Sequence, residues 1–209
     1  AVLLLLSLYF QLVLDMSPLI AGLSIIPLDI TTVILGPWSG RLSDKYGHLA
    51  FTTGGLVLVS ASLFLFATMD TGTPLYLLVV YLILFGAGIG IFASPNMSSI
   101  MGSVPPERRG IASAFRASFF NLGLVISLNL AILVITFTIP YTMVSQIISA
   151  LNPMSISVAD KVLFASSLRN AYLWMAVLNT IAIVPSMLRG RRLRPNGGAN
   201  REPERTLNL

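Results

Sequence analysis

Two charged side chains stand inside apolar runs where water should be absent. Asp29 lies 12 residues after Ser17 and 9 before Trp38, in a stretch of bilayer-crossing length. At 1.5 Å per residue this is roughly 14–18 Å from either end, near the mid-plane of a hydrocarbon layer ~30 Å thick. A carboxylate at that depth costs about 2.5–3.5 kcal/mol on insertion scales, so it should face a cavity or a partner rather than lipid. A carboxyl group so placed suits the uptake and release of protons. The structural alternative is an Asp29 that fixes helix packing, with Thr31, Thr32 or a neighbouring helix as its hydrogen-bond partner. Arg116 sits six residues beyond Gly110, which places it roughly 9 Å into its own apolar run. Its long side chain either snorkels back to the interface or lines a polar path, where it could pair with Asp29. Asn121 and Asn129 lie deeper in the same run. Asn121 either contacts a small solute or hydrogen-bonds to a neighbouring helix.

Little else in the chain could do chemistry. There is no cysteine, a single histidine (His48), and the eight acids are scattered. No thiolate site or metal-ligand cluster is therefore expected. There is no nucleophile–base set and no phosphate-cradling loop ending in Lys-Ser or Lys-Thr, so neither an enzyme nor a cofactor is expected. The 209 residues are 55% hydrophobic and 10% charged. A soluble domain carries roughly 25% charged residues, so this is an integral membrane protein. The net charge of +5 does not indicate nucleic acid, because the basic residues lie in loops and a tail rather than along one polar face.

The elements that position Asp29 and Arg116 are thus membrane helices. Residues 1–14 read as a span cut in its middle, since the chain opens Ala1-Val2-Leu3-Leu4 without a basic leader. The chain is expected to be a fragment of something longer. Asp15-Met16-Ser17-Pro18 marks a turn, and residues 18–38 form a second span opened by Pro18 and closed by an interfacial Trp38. A charged turn at 39–48 follows. Further spans are expected over 49–69, 75–100, 112–139 and 168–188. The mixed stretch at 141–167 carries Asn152-Pro153 and a capping-box match at Ser157-Val158-Ala159-Asp160. It is expected to be the longest outward loop, with a short interfacial helix. Gly86, Gly88 and Gly90, with Pro95 beyond them, should let the fourth span pack closely or bend. The expected fold is all-α: a polytopic transmembrane helix bundle of about six spans over residues 1–188, with a polar, disordered tail at 189–209.

Charge orients the bundle. The turn at 39–48, the loop at 102–110 and the tail would share one side. They hold Arg41, Lys45, Arg108, Arg109, Arg189, Arg191, Arg192, Arg194, Arg201 and Arg205. The other side holds only Lys161 and Arg169, with Arg116 inside a span. Ten against two puts the first side, and the C-terminus, in the cytoplasm.

The charged turn runs Gly36-Pro37-Trp38-Ser39-Gly40-Arg41-Leu42-Ser43-Asp44-Lys45-Tyr46-Gly47, and reads G-x-L-x-D-x-x-G from Gly40 to Gly47. An ordinary cytoplasmic hairpin could look like this, but the pattern also resembles the signature loop of the major facilitator superfamily of secondary transporters. Gly40 would let two helices approach closely, and Gly47 would allow a turn at positive φ. Asp44 could cap the next helix or pair with Arg41 or Lys45. Lys45 stands where the signature usually has Arg, and His48-Leu49 where it has a basic pair; Lys does not reproduce the bidentate pairing of Arg.

Three further stretches are similar to one branch, the fourteen-helix drug:proton antiporters. Tyr9 to Leu23 resembles the passage from the ninth to the tenth helix. Gly86-Ala87-Gly88-Ile89-Gly90-Ile91 through Pro95 resembles the glycine-rich twelfth, and Val104-Pro105-Pro106-Glu107-Arg108-Arg109-Gly110-Ile111-Ala112-Ser113 the loop opening the thirteenth, with Gly123 falling where that helix often has glycine. The resemblance implies a C-terminal half, helices nine to fourteen, whose N-terminal half is missing. It implies secondary active transport across the plasma (inner) membrane, with efflux of small amphipathic compounds or drugs driven by protons through alternating access. Asp29 would then be the proton-coupling candidate, and Arg116 and Asn121 would lie on the substrate path. The partners would be membrane lipid, the small-molecule substrate, protons and the missing half. The alternatives are a metabolite carrier of the same fold without proton coupling, or a non-transporting membrane fragment.

The orientation is directly testable because the chain has no native cysteine. With Ser43→Cys, Ser103→Cys and Ser155→Cys made singly, an impermeant thiol reagent on intact cells should label position 155 and spare the other two. The reverse labelling would invert the topology.

Overall fold

Among the residues that the computed structural model describes, 1–138 and 158–188, six α-helices and one 3-10 turn are joined by short connections, and no strand occurs. They are α1 (Val2–Leu12), α2 (Pro18–Tyr46), α3 (His48–Phe66), α4 (Leu75–Met101), α5 (Arg109–Thr138) and α6 (Val158–Leu188), with the 3-10 turn at Pro106–Arg108 before α5. Helices α2 to α6 are long and apolar enough to cross a membrane, whereas α1 has only 11 residues. The expected all-α transmembrane bundle is the fold observed. The stretch at 141–157, with Asn152-Pro153 and Ser155, and the tail at 189–209 lie outside the described residues.

Two boundaries differ from the sequence reading. Helix α2 does not stop at Trp38 but continues to Tyr46, through nearly all of the expected turn. The cause is packing against α4. Ser39, Gly40 and Ser43 are buried, and a Cβ on Gly40 would lie 2.4 Å from Ser94 Oγ. The hydroxyls of Ser39 and Ser43 donate back to the carbonyls of Gly36 (2.9 Å) and Gly40 (2.8 Å), which removes their competition with the helix. The whole reversal falls to Gly47, whose φ of 96° is open to glycine at little cost. Because Ser43 is buried, Lys45, which is exposed, is the better labelling position on that side. Helix α6 begins at Val158 rather than 168. Lys161, Ser166 and Ser167 lower the hydropathy of its first turns. Phe164, Ala165, Leu168, Ala171 and Tyr172 nevertheless form one buried helical face.

The other connections are built from local hydrogen bonds. Ser17 caps α2 by accepting from the Ile20 amide at 3.4 Å, with Pro18 in the first turn. The Asp70 carboxylate accepts from the Gly72 amide (2.9 Å) and the Thr73 hydroxyl (3.2 Å), which closes the α3–α4 turn. Tyr9 donates its hydroxyl to the Asp70 carbonyl, and Lys161 pairs with Asp15, so this end of the bundle ties α1, α3 and α6 together. Beneath these ties lies an aromatic cluster. Phe66 stacks on Tyr172 at 5.3 Å and meets Tyr81 edge-on at 5.6 Å, with Leu5, Leu6, Leu78, Leu82 and Leu168 fully buried around them.

Toward the opposite end, glycine takes over from aromatic packing. A Cβ on Gly86 would lie 2.4 Å from the Leu28 carbonyl oxygen, and one on Gly90 3.0 Å from that of Thr32, so both face α2. Gly88 faces α3, where its Cβ would meet the Val59 amide at 2.8 Å and the Gly55 carbonyl at 3.0 Å. Helix α4 thus packs backbone to backbone against α2 on one side and α3 on the other. Helix α3 in turn packs on α6, and α5 joins the bundle chiefly through its contact with α6.

Gly86→Val should lower abundance and the melting temperature in detergent, since overpacking costs about 1–3 kcal/mol and the opposing atom here is backbone. Gly54→Ala, whose Cβ would meet nothing within 4 Å, should be neutral. Equal melting of the two variants would refute the close-packing account.

Candidate functional site

Asp29 lies 11 residues into the 29-residue α2, two after Pro27. Its face carries Ile26 and Val33 one turn away on either side, and all three are exposed, covered by no other described helix. The next residue back, Leu28, is buried, with its backbone against Gly86. The threonines considered as its partners are committed elsewhere. Thr31 donates to the Pro27 carbonyl at 2.7 Å, and Thr32 to the carbonyls of Leu28 (2.9 Å) and Gly86 (3.0 Å). A threonine hydroxyl in a helix reaches the carbonyl one turn back more readily than a side chain three residues away. Asp29 is therefore left on an open face, and the packing role through Thr31 or Thr32 falls away.

Arg116 sits in the first half of α5 and is partly exposed. Among the described residues neither Asp29 nor Arg116 makes an ion pair, so the structure does not bring these two charges together. Around Arg116 this half of α5 stands clear of the bundle, with Ile111, Phe115, Phe119 and Leu122 all exposed. Asn121 is exposed on this segment. Asn129 bonds within its own helix, to the Val125 carbonyl at 2.8 Å, not between helices. The buried contacts of α5 come only later, at Ala131 and Ile135.

At the α2–α3 turn, Arg41, Asp44 and Lys45 are exposed on the last turns of α2. Asp44 does not cap α3. The cap position is Gly47, without a side-chain hydrogen bond, because the helix runs past Asp44 before it turns. Neither Arg41 nor Lys45 pairs with Asp44 among the described residues. The Lys45 ammonium lies 5.2 Å from the centre of the Tyr46 ring instead. Beneath them, Ser43 receives His48 Nδ1 at 3.3 Å while its own hydrogen goes to the Gly40 carbonyl. His48 Nδ1 must therefore be the donor, and the two helices are joined across the Gly47 turn.

The sequence reading missed a polar seam between α3 and α6. Asn179 donates both amide hydrogens, to the Leu56 carbonyl (3.0 Å) and Ser60 Oγ (2.8 Å), and Thr53 meets Ser186 at 3.2 Å. An asparagine inside an apolar run was the available signal, the same signal that drew attention to Asn121. Among the described residues no three His, Asp or Glu side chains gather as a metal site.

A bundle of apolar helices of membrane-crossing length, with charge held on faces its own helices leave open, defines a multi-pass membrane protein. The chain belongs to the Major Facilitator Superfamily, whose family profile matches residues 1–128, the stretch holding α1 to α4, Asp29, the Gly40–Gly47 pattern and Arg116. It is 38% identical over 122 residues to the riboflavin transporter RibZ of Clostridioides difficile, covering 58% of this chain and 27% of that protein. It is 32% identical over 115 residues to the uncharacterized transporter YebQ of Escherichia coli, covering 55% and 25%. To the multidrug efflux pump LfrA of Mycolicibacterium smegmatis it is 26% identical over 120 residues, covering 57% and 24%. The chain spans about a quarter of the length of these curated relatives.

The placement of Asp44 carries a stability prediction. A carboxylate in the last turn of a helix opposes the macrodipole by about 0.3–1 kcal/mol. Asp44→Asn should therefore leave the melting temperature unchanged or slightly higher. A clear fall would show a stabilising partner for Asp44 and return it to a structural role.

Proposed function

We propose that this chain forms one helical bundle of a secondary active transporter that exports small amphipathic compounds in exchange for protons by alternating access. The observation that carries the reading is Asp29, a carboxylate in mid-helix on a face of α2 that no described helix covers. A second bundle closing over that face would bury Asp29, and burying an unpaired charge is strongly unfavourable. The bundles could close only when Asp29 is neutralised by a proton or paired with a polar or cationic group of the solute. Closure in either of those two states, and not in the empty charged state, yields exchange of solute for proton. Arg116 and Asn121, on the exposed half of α5, would line the path. Arg41, Asp44 and Lys45 would meet the second bundle at the cytoplasmic end and bias which state is closed.

In this reading residues 1–188 are the membrane bundle and 189–209 a cytoplasmic tail, in the plasma or inner membrane. Similarity to the efflux pump LfrA supports drug export. The second reading is a metabolite carrier that does not use protons; the higher identity to the riboflavin transporter supports a metabolite as its solute.

Substrate efflux by the full-length protein in inverted vesicles under an imposed pH gradient separates the two. Asn mimics a protonated carboxyl in shape and donor capacity, so Asp29→Asn should abolish pH-driven transport while abundance and substrate binding survive. Undiminished pH-driven transport in that variant would remove Asp29 from the coupling, whereas wild-type transport indifferent to the pH gradient would leave the carrier reading.

A further inference from the structure

The two hydroxyls that cross from α2 to α4 share one geometry. Thr32 Oγ1 lies 2.9 Å from the Leu28 carbonyl of its own helix and 3.0 Å from the Gly86 carbonyl of α4. Ser39 Oγ, two turns further on, lies 2.9 Å from the Gly36 carbonyl of its own helix and 3.0 Å from the Gly90 carbonyl of α4. A hydroxyl has one hydrogen and can donate it in full to only one acceptor. At each position, then, a single proton stands between two almost equidistant carbonyls, one within α2 and one across the seam. If α4 moves away, each hydroxyl keeps a partner in its own helix. The glycine carbonyls keep the acceptor position of the α4 ladder. Separation therefore leaves no buried polar group orphaned, which is the main cost of parting helices in a bilayer.

The α3–α6 seam behaves differently. Asn179 has two amide hydrogens and spends both across the seam, on Leu56 and Ser60. Parting those helices breaks both, and a helical asparagine can recover at most one of them on the carbonyl one turn back, as Asn129 does.

We infer that Thr32 and Ser39 make the α2–α4 contact a releasable seam, the joint at which α2, carrying Asp29, moves relative to α4 during the transport cycle, while the α3–α6 seam stays closed. The inference rests on the transport reading for its use, though not for its geometry. The glycines at 86 and 90 bring the backbones close enough for the hydroxyls to reach across. Pro95, inside α4 just beyond, supplies a point of bending.

Gly40→Cys with Ser94→Cys places a disulfide probe on the seam. A Cβ on Gly40 lies 3.5 Å from Ser94 Cβ, within disulfide geometry, and the chain has no other cysteine. The extent of cross-linking, read without substrate or gradient in the full-length protein, reports how often the seam is closed. Interhelical hydrogen bonds in membranes average about 0.6 kcal/mol, roughly threefold in an equilibrium. Thr32→Val with Ser39→Ala should therefore lower the closed-to-open ratio about eightfold at unchanged abundance, and Thr32→Ser should restore part of it. Asn179→Leu should lower abundance without changing this ratio. Oxidation of the cysteine pair should arrest transport, and reduction should restore it. If the pair fails to assemble, hydrogen exchange of residues 86–94 reads the same equilibrium in the cysteine-free protein, and should speed up in the double variant. A ratio or exchange rate indifferent to the two hydroxyls overturns the inference, as does full transport by the cross-linked protein. A wild type that moves no solute, yet whose seam loosens as stated, would count against the transport reading alone.

Discussion

The closest contact in the described bundle is between backbones. Lipid is as apolar as leucine, so no hydrophobic force drives helices together inside a bilayer, and close approach has to supply the attraction. Gly86 and Gly90 let α4 reach the backbone of α2, while Gly55 and Gly88 let it reach α3. With α4 packed between α2 and α3, the remaining elements follow. Helix α6 lies against α3 through Asn179, Ser60 and Thr53, and α5 hangs from α6. A methyl group at Gly86 would force apart the two helices on which Asp29 and the Gly40–Gly47 turn depend.

The bundle is unequally filled along its length. Toward the Asp15–Lys161 end it is closed by Tyr9, Phe66, Tyr81 and Tyr172, large side chains whose burial resists opening. Toward the Gly47 end the buried residues include Ser39, Gly40, Ser43, Thr52 and Ser186, small residues whose hydroxyls bond within their own helix or to the next one. Small residues allow close approach but contribute little side-chain area, so that end is held mainly by backbone proximity and hydroxyls. Such an end can reorganise at lower cost than one keyed by interlocking rings.

The bundle is also unequally covered around its circumference. Helix α4 is packed on two sides, whereas α2 and the first half of α5 leave long apolar faces open, with Asp29 and Arg116 set among them. Lone charges on otherwise apolar faces are unfavourable against lipid and reasonable against a polar path or a second protein surface. Membership of the Major Facilitator Superfamily agrees with that arrangement, as does the quarter-length match to its relatives.

Much of the fold was legible in the residue order because a bilayer imposes a strict rule. Every backbone polar group must be satisfied within a helix, so apolar length alone marks the spans. The helical class, the spans from Pro18 to Met101, the positive φ at Gly47 and the family all followed from local runs and motifs. What local pattern could not decide was what each polar group would touch. Gly40, Ser39 and Ser43 read as a turn by composition and became helix because α4 packs against them. Asp44 lost its expected capping role when the helix ran past it. Thr32 read as a partner for Asp29 and instead bonds backward and across to α4, and Asn179 went unnoticed until α3 was beside it. A hydroxyl or amide has several acceptors within reach of its own helix and several on its neighbours. Their ranking is set by distances of a few tenths of an ångström, which exist only once the helices are assembled.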